Sequence, residues 1–408
     1  MSQHEQTIPS PASHGMTSVS LFGTLLQHMI GKLECGELLI ETPGGSRLFF
    51  EGRQPGPQGR IKIHSWRLLS RFMSGSDISV AESYMAGEWS TPDLAVFLTL
   101  GCRNTCLEAP RKILPKPRFA LKLRHALNRN TRSGSRRNIA AHYDLGNEFY
   151  QPWLDTGMNY SAGIYSNRAT TLEAAQDAKI DRICALLDLN GGEKVLEIGC
   201  GWGAVAERLV RKHDTMVTGI TLSTEQLAYA RQRLRAESKA GRCDLRLQDY
   251  RDVTGAFDRV VSIEMLEAVG EAYWPTYFRK LRECLRPGGT AVIQAITISE
   301  DRFESYRRRP DFIQKYIFPG GMLPTAAILQ REMENAGLRL ASRQFFGDGY
   351  ALTLADWRQR FENAWPQLAG LGFDLRFKRM WEYYLAYCQA GFATGAVDVG
   401  LFKIVKPA

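Results

Sequence analysis

The sequence contains no run of about 18 apolar residues, the length that a membrane-spanning helix needs, and so predicts no spanning segment. Residues 1–16 lack a basic start followed by an apolar run, and we expect a disordered tail rather than a signal peptide. Of eight cysteines, only Cys102 and Cys106 lie close together, and no second pair or histidine cluster completes a metal site. The prediction is a cytoplasmic protein with reduced thiols and no bound metal.

Acidic residues are absent from residues 111–137, where ten Lys and Arg residues lie. The net charge of the whole chain is +9, so the rest of the chain is close to neutral. This basic linker, residues 106–137, indicates an anionic partner, either nucleic acid or lipid headgroups. A nucleic-acid site would need interleaved stacking aromatics, and Phe119 is the only aromatic residue in the stretch. We therefore expect no nucleic acid and favour a helix at an anionic membrane surface over a solvated connector.

The length of 408 residues predicts more than one domain. Residues 17–105 are expected to form a small α+β domain without catalytic residues. Its predicted elements are an amphipathic stretch over 21–33, strand-like residues over 36–50 with a turn at 43–45, a turn cluster over 54–59, a short strand at 61–63 and a helix over 81–100.

From residue 138 to the end, strand and helix patterns alternate, which predicts an α/β, Rossmann-like fold with a parallel sheet covered by helices. The predicted strands are Lys194–Ile198, Met216–Thr221, Leu245–Leu247, Arg259–Ile263 and Thr290–Ile296. The predicted helices are Ala204–Lys212, Ser223–Ala236 with Ser223 as N-cap, and Ala272–Cys284. A ligand should bind beyond the C-terminal ends of the strands.

A glycine-rich turn follows the first of these strands. Gly199, Gly201 and Gly203 allow positive φ and let backbone N–H groups approach a ligand closely. A dinucleotide site would need an acidic residue at the end of the next strand, where Thr221 and Leu222 stand instead. The pattern therefore favours S-adenosylmethionine over a nicotinamide cofactor.

Three further residues suit that cofactor. Glu197, just before the glycines, can accept a hydrogen bond from the ammonium group. Asp249 and Tyr250 follow the third strand, where a carboxylate and a ring could meet the edge and the face of an adenine.

Several longer motifs carry a family resemblance. They are His142–Asn147, Val195–Gly203, Gln248–Asp252, Tyr316–Pro324, Phe346–Tyr350 and Arg376–Trp381. Together they resemble the cyclopropane fatty acid synthases and the related mycolic acid methyltransferases, over residues 138–408. The resemblance implies a class I methyltransferase fold with a C-terminal antiparallel hairpin and a lid insertion at about 298–345.

The resemblance also implies a chemistry. A cis double bond of an unsaturated phospholipid acyl chain attacks the methyl group of S-adenosylmethionine, which leaves a carbocation in the chain. A bicarbonate ion then typically removes a proton, and a cyclopropane closes. By the same resemblance, Glu267, Tyr350 and the position of Gln294 are catalytic. The residues expected around the cofactor are Tyr160, Ser161, Thr221, Leu222, Gln226 and Ile263.

Three positions depart from the family pattern. Ala162 and Ala268 stand where a cysteine and a histidine are usual, and Gln294 stands where a histidine is usual. Each lost charge-assisted contact costs roughly 1.5–3 kcal/mol, so the bicarbonate site is expected to be weakened, rebuilt or absent. Glu264, one turn from Glu267 if this piece is helical, is a second candidate base, with a solvated surface carboxylate as the alternative.

These departures leave the product open between a cyclopropane and a methylene- or methyl-branched chain, the latter with a partner reductase. The lid carries Arg307–Arg309 among aromatic residues, which favours contact with an anionic headgroup. We expect peripheral attachment to the inner face of the membrane, with a homodimer as an open alternative to a monomer. A small-molecule N-methyltransferase is the rival enzyme function.

Overall fold

The protein is represented by a computed structural model that describes residues 33–72, 77–104, 131, 134–135 and 145–408. The predicted N-terminal tail, nearly all of the first amphipathic stretch and most of the basic linker lie outside the described residues. Within the described ranges, no helix is long and apolar enough to cross a membrane.

The N-terminal unit contains a four-stranded sheet in the order β2-β1-β3-β4, with β1 parallel to β3 and antiparallel to β2. Its strands are β1 (Cys35–Glu41), β2 (Arg47–Glu51), β3 (Gln54–Ile63) and β4 (Trp89–Ser90). Its helices are α1 (Arg67–Phe72), α2 (Asp77–Met85) and α3 (Leu94–Arg103). The predicted α+β character agrees with these elements.

Two details of that prediction are wrong. Residues 54–59 belong to β3 rather than to a turn, because they pair with β1 along its length. The single helix predicted over 81–100 is two helices separated by β4. Gly87, at φ +72°, follows α2, and Asp93 caps α3 by accepting hydrogen bonds from two backbone N–H groups in its first turn.

The C-terminal unit is built on a seven-stranded sheet in the order β10-β11-β9-β8-β5-β6-β7. The strands are β5 (Lys194–Ile198), β6 (Met216–Thr221), β7 (Cys243–Leu247), β8 (Phe257–Ile263), β9 (Leu285–Ile298), β10 (Arg339–Phe345) and β11 (Val397–Val405). Strands β5 to β9 pair in parallel, whereas β11 pairs antiparallel to both β9 and β10. The predicted parallel sheet with a C-terminal antiparallel pair is confirmed, although two long helices separate β10 from β11 in the sequence.

Helices cover both faces of this sheet. The helices of this unit are α4 (Asn147–Tyr150), α5 (Leu172–Leu187), α6 (Ala204–His213), α7 (Thr224–Arg233), α8 (Arg235–Lys239), α9 (Trp274–Cys284), α10 (Glu300–Arg308), α11 (Ala326–Asn335), α12 (Gly347–Gly370) and α13 (Leu375–Ala393). Neighbouring β5 residues bury opposite faces, since Val195 packs in one apolar cluster with Ile183 of α5 and Leu196 in another with Phe278 of α9. Ser223 caps α7 as predicted, and its Oγ accepts a hydrogen bond from the Gln226 N–H at 3.2 Å.

The segment between β9 and β10, which the sequence predicts to be a lid, contains α10, a π-helical turn at Ile313–Ile317 and α11. The N-terminal unit packs directly against this segment and against α13. Glu82 of α2 accepts hydrogen bonds from the Lys315 ammonium and, at 2.7 Å, from the Tyr316 hydroxyl. Tyr84 donates to Glu382 Oε2 of α13 at 3.2 Å. The two units therefore share an interface that includes the predicted lid segment.

Candidate active site

The glycine turn after β5 has the conformation that its sequence requires. Gly199, Gly201 and Gly203 have φ values of +85°, +50° and +87°. A Cβ atom at Gly203 would lie 3.2 Å from the Ala230 Cβ, so this glycine permits close packing of α7. A Cβ atom at Gly201 would meet nothing within 4 Å. The turn is thus packed on one side and presents open backbone at Gly201, where a ligand could approach.

Glu197 lies near the C-terminal end of β5, two residues before the first glycine of this turn. Its side chain is 2% exposed, and burial raises the pKa of its carboxyl to about 8, against a backbone hydrogen bond from Ala206 that lowers it. Its Oε2 has no hydrogen-bond partner among the residues that the structure describes. A buried acceptor without a protein partner suits a ligand that donates a hydrogen bond to it.

The residues expected near the ribose and adenine lie at the ends of the next two strands. The Thr221 hydroxyl donates to Gln226 Oε1 at 3.0 Å, and Leu222, between β6 and α7, is partly buried. Asp249 is buried and accepts hydrogen bonds from the backbone and the guanidinium of Arg251. Tyr250 packs against Tyr277 with ring centroids 5.5 Å apart. The roles of all these residues toward the cofactor stay predictions.

Tyr160 and Ser161 lie in the loop before α5. The Tyr160 hydroxyl is 2.9 Å from the Tyr384 hydroxyl. The Ser161 hydroxyl accepts a 2.7 Å hydrogen bond from Lys179 Nζ. Both side chains are therefore held by other parts of the C-terminal unit, and their contact with the cofactor stays a prediction.

Lys179 is a functional candidate that the sequence reasoning missed. It is 1% exposed, and burial lowers the pKa of its ammonium group to about 8, although Asp155, Glu264 and Glu197 act to raise it. The signal was present in the spacing, because Ala175, Lys179 and Ile183 recur every four residues along the buried face of α5. A lysine on an apolar stripe needs a buried polar partner, which here is the Ser161 hydroxyl.

The centre of the site is Glu264, immediately after β8. Its Oε1 accepts hydrogen bonds from the Ala162 N–H at 2.8 Å and from Gln294 Nε2 at 2.7 Å. Its Oε2 accepts a hydrogen bond from the Tyr350 hydroxyl at 2.7 Å. The structure thus brings the predicted residues Tyr350 and Gln294 together, but around Glu264 rather than around Glu267.

Two expectations about Glu264 are wrong. The segment is not a helix at this point, because Glu264 has φ +46° and the following short 3-10 turn begins only at Leu266. The carboxylate is not a solvated surface group either, since three protein donors hold it. Burial raises the pKa of Glu264, and the three hydrogen bonds and the charge of Lys179 oppose that effect.

Glu267 lies close by with fewer partners. Its Oε1 accepts a hydrogen bond from the Ile296 N–H at 2.5 Å, and its buried Oε2 has no partner within the described ranges. Burial, and then the charge of Glu264, raise the pKa of Glu267 to about 8. With a pKa of about 8, Glu267 favours its protonated form at neutral pH, whereas Glu264 has more neighbours that favour its ionised form. The predicted catalytic role of Glu267 stays a prediction.

An aromatic cluster adjoins Glu264 through its hydrogen-bond donor Tyr350. The Tyr350 ring lies 4.4 Å from the Phe392 ring and 6.1 Å from the Trp357 ring, measured between centroids. Trp357 in turn lies 5.2 Å from Tyr160. Ring faces attract cations, so such surroundings suit a sulfonium donor or a carbocation in a water-poor site.

The elements of the site adjoin one another at the C-terminal edge of the sheet. A Cβ atom at Gly199 would lie 3.2 Å from Met265 Cγ, so the glycine turn touches the segment that carries Glu264. Ile263, the last residue of β8, pairs with Gln294 of β9. The open backbone at Gly201 and the unpartnered oxygen of Glu197 fit S-adenosylmethionine, which would be held by the glycine turn and the ends of β6 and β7.

Comparisons with known proteins agree with this arrangement. Residues 130–402 match the family model described as mycolic acid cyclopropane synthetase. The chain is 42% identical over 337 residues to the tuberculostearic acid methyltransferase of Mycobacterium tuberculosis, which covers 81% of this chain and 79% of that protein. It is 34% identical over 351 residues to the cyclopropane-fatty-acyl-phospholipid synthase of Escherichia coli, with 85% and 87% covered.

Solved structures give the same result. A cyclopropane synthase from Mycobacterium tuberculosis superposes with a TM-score of 0.62 at 29% identity, covering 66% of this chain and 98% of that one. A mycolic acid cyclopropane synthase in complex with S-adenosylhomocysteine and CTAB gives the same TM-score, identity and coverage. The chain belongs to the mycolic acid cyclopropane synthetase family and is an S-adenosylmethionine-dependent methyltransferase that acts on lipid acyl chains.

Proposed function

We propose that the protein methylates the cis double bond of an unsaturated phospholipid acyl chain and that the product is a cyclopropane fatty acid. The observation that carries the proposal is the carboxylate of Glu264, which lies beside the glycine turn and accepts a hydrogen bond from Tyr350, a member of an aromatic cluster. Methyl transfer to a carbon double bond needs a proton acceptor after the bond has formed, together with surroundings that tolerate a cation. The site offers both.

S-adenosylmethionine, when bound, supplies an electrophilic methyl group. The chain's own residues then have three tasks, which are to keep water away, to stabilise positive charge and to accept one proton. Trp357 and Tyr350 contribute ring faces, and Glu264 contributes negative charge.

A methylene- or methyl-branched product is the second candidate. It is favoured by the altered surroundings of the proton acceptor, because Ala162 contributes a backbone N–H and Gln294 contributes a neutral amide. The relative named as a tuberculostearic acid methyltransferase also supports acyl-chain methylation with a different outcome. A methylene product would need a reductase as partner to become a methyl branch.

Expression in a bacterial host without its own cyclopropane-forming enzyme tests the function. The host's unsaturated phospholipid acyl chains should gain the mass of one CH₂ group. Proton NMR of the isolated lipids then separates ring protons at high field from the vinylic protons of a methylene branch. An unchanged lipid profile, with the protein present and folded, would exclude the proposed substrate.

A soluble N-methyltransferase acting on a small amine is the rival function. Such an enzyme would methylate amines without vesicles present, and its product would appear in the aqueous phase. Assaying amines and unsaturated phospholipid vesicles side by side, with labelled methyl donor, distinguishes the two functions.

We also propose that the protein works at the inner, anionic face of the membrane, as a monomer or homodimer. The basic linker supports this location, as do the exposed Arg302 and Arg309 of the lid. Arg307 and Arg308 already pair with Glu271 and Glu304, so they are weaker candidates for headgroup contact.

Co-sedimentation with anionic vesicles, beside an RNA gel shift at the same salt concentration, tests this location. Vesicle binding should exceed RNA binding and should fall when four linker residues become glutamine. Those residues are Lys116, Arg118, Lys122 and Arg124. A control variant with four neutralised exposed residues should bind vesicles like the wild type; these are Lys212, Arg235, Lys239 and Arg331. Stronger binding to RNA would overturn the assignment.

A further inference from the structure

Three separate parts of the C-terminal unit donate hydrogen bonds to one carboxylate. The donors to Glu264 come from the loop before α5, from the middle of β9 and from the first turn of α12, at 2.7–2.8 Å. Gln294 contacts Glu264 twice, because its backbone carbonyl also accepts a hydrogen bond from the Glu264 backbone N–H at 2.8 Å. Glu264 is a partly buried residue, and these donors hold its carboxylate in place.

The backbone at Glu264 is strained to achieve this. Its φ of +46° lies in the left-handed region, which costs a residue with a branched or long side chain on the order of 1–2 kcal/mol. Such strain persists only where the surroundings impose it, and it concentrates at functional sites. A glycine would adopt this backbone freely, so the presence of glutamate points to a use for its carboxylate.

We propose that Glu264 is the proton acceptor of the reaction, and that its carboxylate occupies the place that an exogenous bicarbonate would otherwise take. The enzyme then carries its base in its own chain and needs no added anion. This inference rests on the proposed function, whose chemistry requires such an acceptor.

The step balances with Glu264 as the base. The π electron pair of the double bond forms the new bond to the methyl carbon, and the electron pair of the sulfur–methyl bond stays on sulfur. The neighbouring chain carbon is left positive. Glu264 takes a proton from the new methyl group, and the released C–H pair closes the three-membered ring. The proton passes to water when the product leaves.

The same acceptor serves the alternative product. If a hydride first moves from the methylated carbon to the cationic carbon, the positive charge lies next to the methyl group. Glu264 then takes the methyl proton, and the C–H pair becomes an exocyclic double bond. The choice of product therefore depends on whether the hydride moves before the proton leaves, and not on a second base.

Glu264 suits this task better than Glu267. Glu264 has three donors and the nearby charge of Lys179, all of which favour the ionised form. Glu267 has one backbone donor to its side chain and lies beside the charge of Glu264. A carboxyl group that already carries a proton cannot accept another one.

Bicarbonate dependence tests the proposal. The purified full-length protein is assayed on unsaturated phosphatidylglycerol vesicles with labelled S-adenosylmethionine, in carbonate-free buffer with and without added bicarbonate. The wild-type rate should be the same in both. Glu264→Gln, which keeps the side-chain length, should lose roughly 100-fold or more in rate. Glu264→Gly should lose the same and recover part of its rate when bicarbonate or formate is added.

A binding measurement makes the test independent of activity. Isotope-labelled bicarbonate, followed by NMR in the presence of S-adenosylhomocysteine, should not bind to the wild type and should bind to Glu264→Gly. Retained S-adenosylhomocysteine binding and a cooperative thermal transition show that each variant is folded. Wild-type activity that requires bicarbonate, or wild-type protein that binds it, would overturn the inference.

Failure of the proposed function is recognisable separately. In that case the wild type transfers no methyl group to vesicle lipid in either buffer. The NMR experiment still decides whether Glu264 fills the anion site, because it needs no turnover. Full activity of Glu264→Gln without any added anion would also reject Glu264 as the base, while leaving lipid methylation intact.

Discussion

The hydroxyl of Tyr350 donates a 2.7 Å hydrogen bond to Oε2 of Glu264, which joins the first turn of α12 to the end of β8. This contact lowers the pKa of Glu264 against the larger opposing effect of burial. The hydrogen bond therefore helps to keep the carboxylate ionised in surroundings that would otherwise favour its protonated form.

Tyr350→Phe should lower the turnover rate on the order of 10- to 100-fold, as expected for a lost hydrogen bond to a charged group. The acid limb of the rate profile should move to higher pH, because Glu264 loses a group that favours its ionised form while Lys179 and Glu267 remain. Initial rates across pH measure this. Tyr84→Phe, which removes the hydroxyl that binds Glu382, is the matched control and should keep the wild-type profile. An unshifted acid limb would contradict the prediction.

Glu267→Gln should change how stability depends on pH. In the folded protein the pKa of Glu267 is raised to about 8 from 4.5, so the folded state binds more protons than the unfolded state between those values. Wild-type stability is therefore lost as pH rises through this window. The variant has no titratable group at this position. The Tm of the variant minus the Tm of the wild type should therefore increase from about pH 5 to about pH 8.

Thermal unfolding in a series of buffers measures that increase. Glu334→Gln, on the exposed side of α11, controls for the replacement of a carboxylate by an amide. A constant difference in Tm between Glu267→Gln and the wild type would mean that Glu267 is ionised in the folded protein.

Two alanine substitutions in the glycine turn should have different effects. Gly203→Ala should lose roughly 1–3 kcal/mol of stability, because its Cβ would crowd Ala230 at 3.2 Å. Gly201→Ala has no such neighbour and should mainly weaken binding of S-adenosylmethionine. Gly241→Ala, at φ +71° and also in open space, reproduces the backbone strain away from the site. Calorimetric titration and thermal unfolding of all three separate the effects; equal affinity for Gly201→Ala and Gly241→Ala would argue against a ligand at Gly201.

Glu82→Ala should destabilise the protein by about 1 kcal/mol near neutral pH, since it removes the partner of Lys315 and Tyr316. Burial acts to raise the pKa of Glu82, but the hydrogen bonds from these two residues lower it overall. The stabilisation is thus present above 4.5 and is lost as the pH falls through the lowered pKa. Denaturant unfolding at several pH values measures it, with Glu334→Ala as control. If the difference in unfolding free energy between the wild type and Glu82→Ala persisted at acid pH, packing rather than charge would be responsible.

The sequence predicted the parts of the fold that local patterns determine. The strand before the glycine turn and the cap at Ser223 were both predictable, because each depends on residues only a few positions apart. The helix over 81–100 was predicted wrongly, since Gly87 and the pairing of Trp89 with β3 interrupt it. Strand pairing between distant segments is not visible in a local pattern.

Glu264 shows why the site was only partly predictable. Its donors lie 102, 30 and 86 residues away in the sequence, at Ala162, Gln294 and Tyr350. From the sequence, Ala162 is expected to be a lost donor because its side chain cannot donate. The backbone N–H at the same position donates instead, which no residue type reveals. The positive φ of Glu264 likewise depends on tertiary contacts and not on local propensity.

The shared interface at Glu82 has a practical consequence for anyone who wishes to trim this chain to the size of its smaller solved counterparts. Removing residues 33–104 would strip Lys315 of its counter-charge and uncover Tyr383, which now packs against Tyr84. The N–H of Met322, in the same segment as Lys315, donates a hydrogen bond to the Glu267 carbonyl at 2.9 Å. A shift of this segment would therefore change the positions of Glu267 and Glu264. A shortened enzyme would therefore need a redesigned surface at this interface. Lys315 would need a new acidic partner, and the newly exposed aromatic residues would have to be replaced by polar ones.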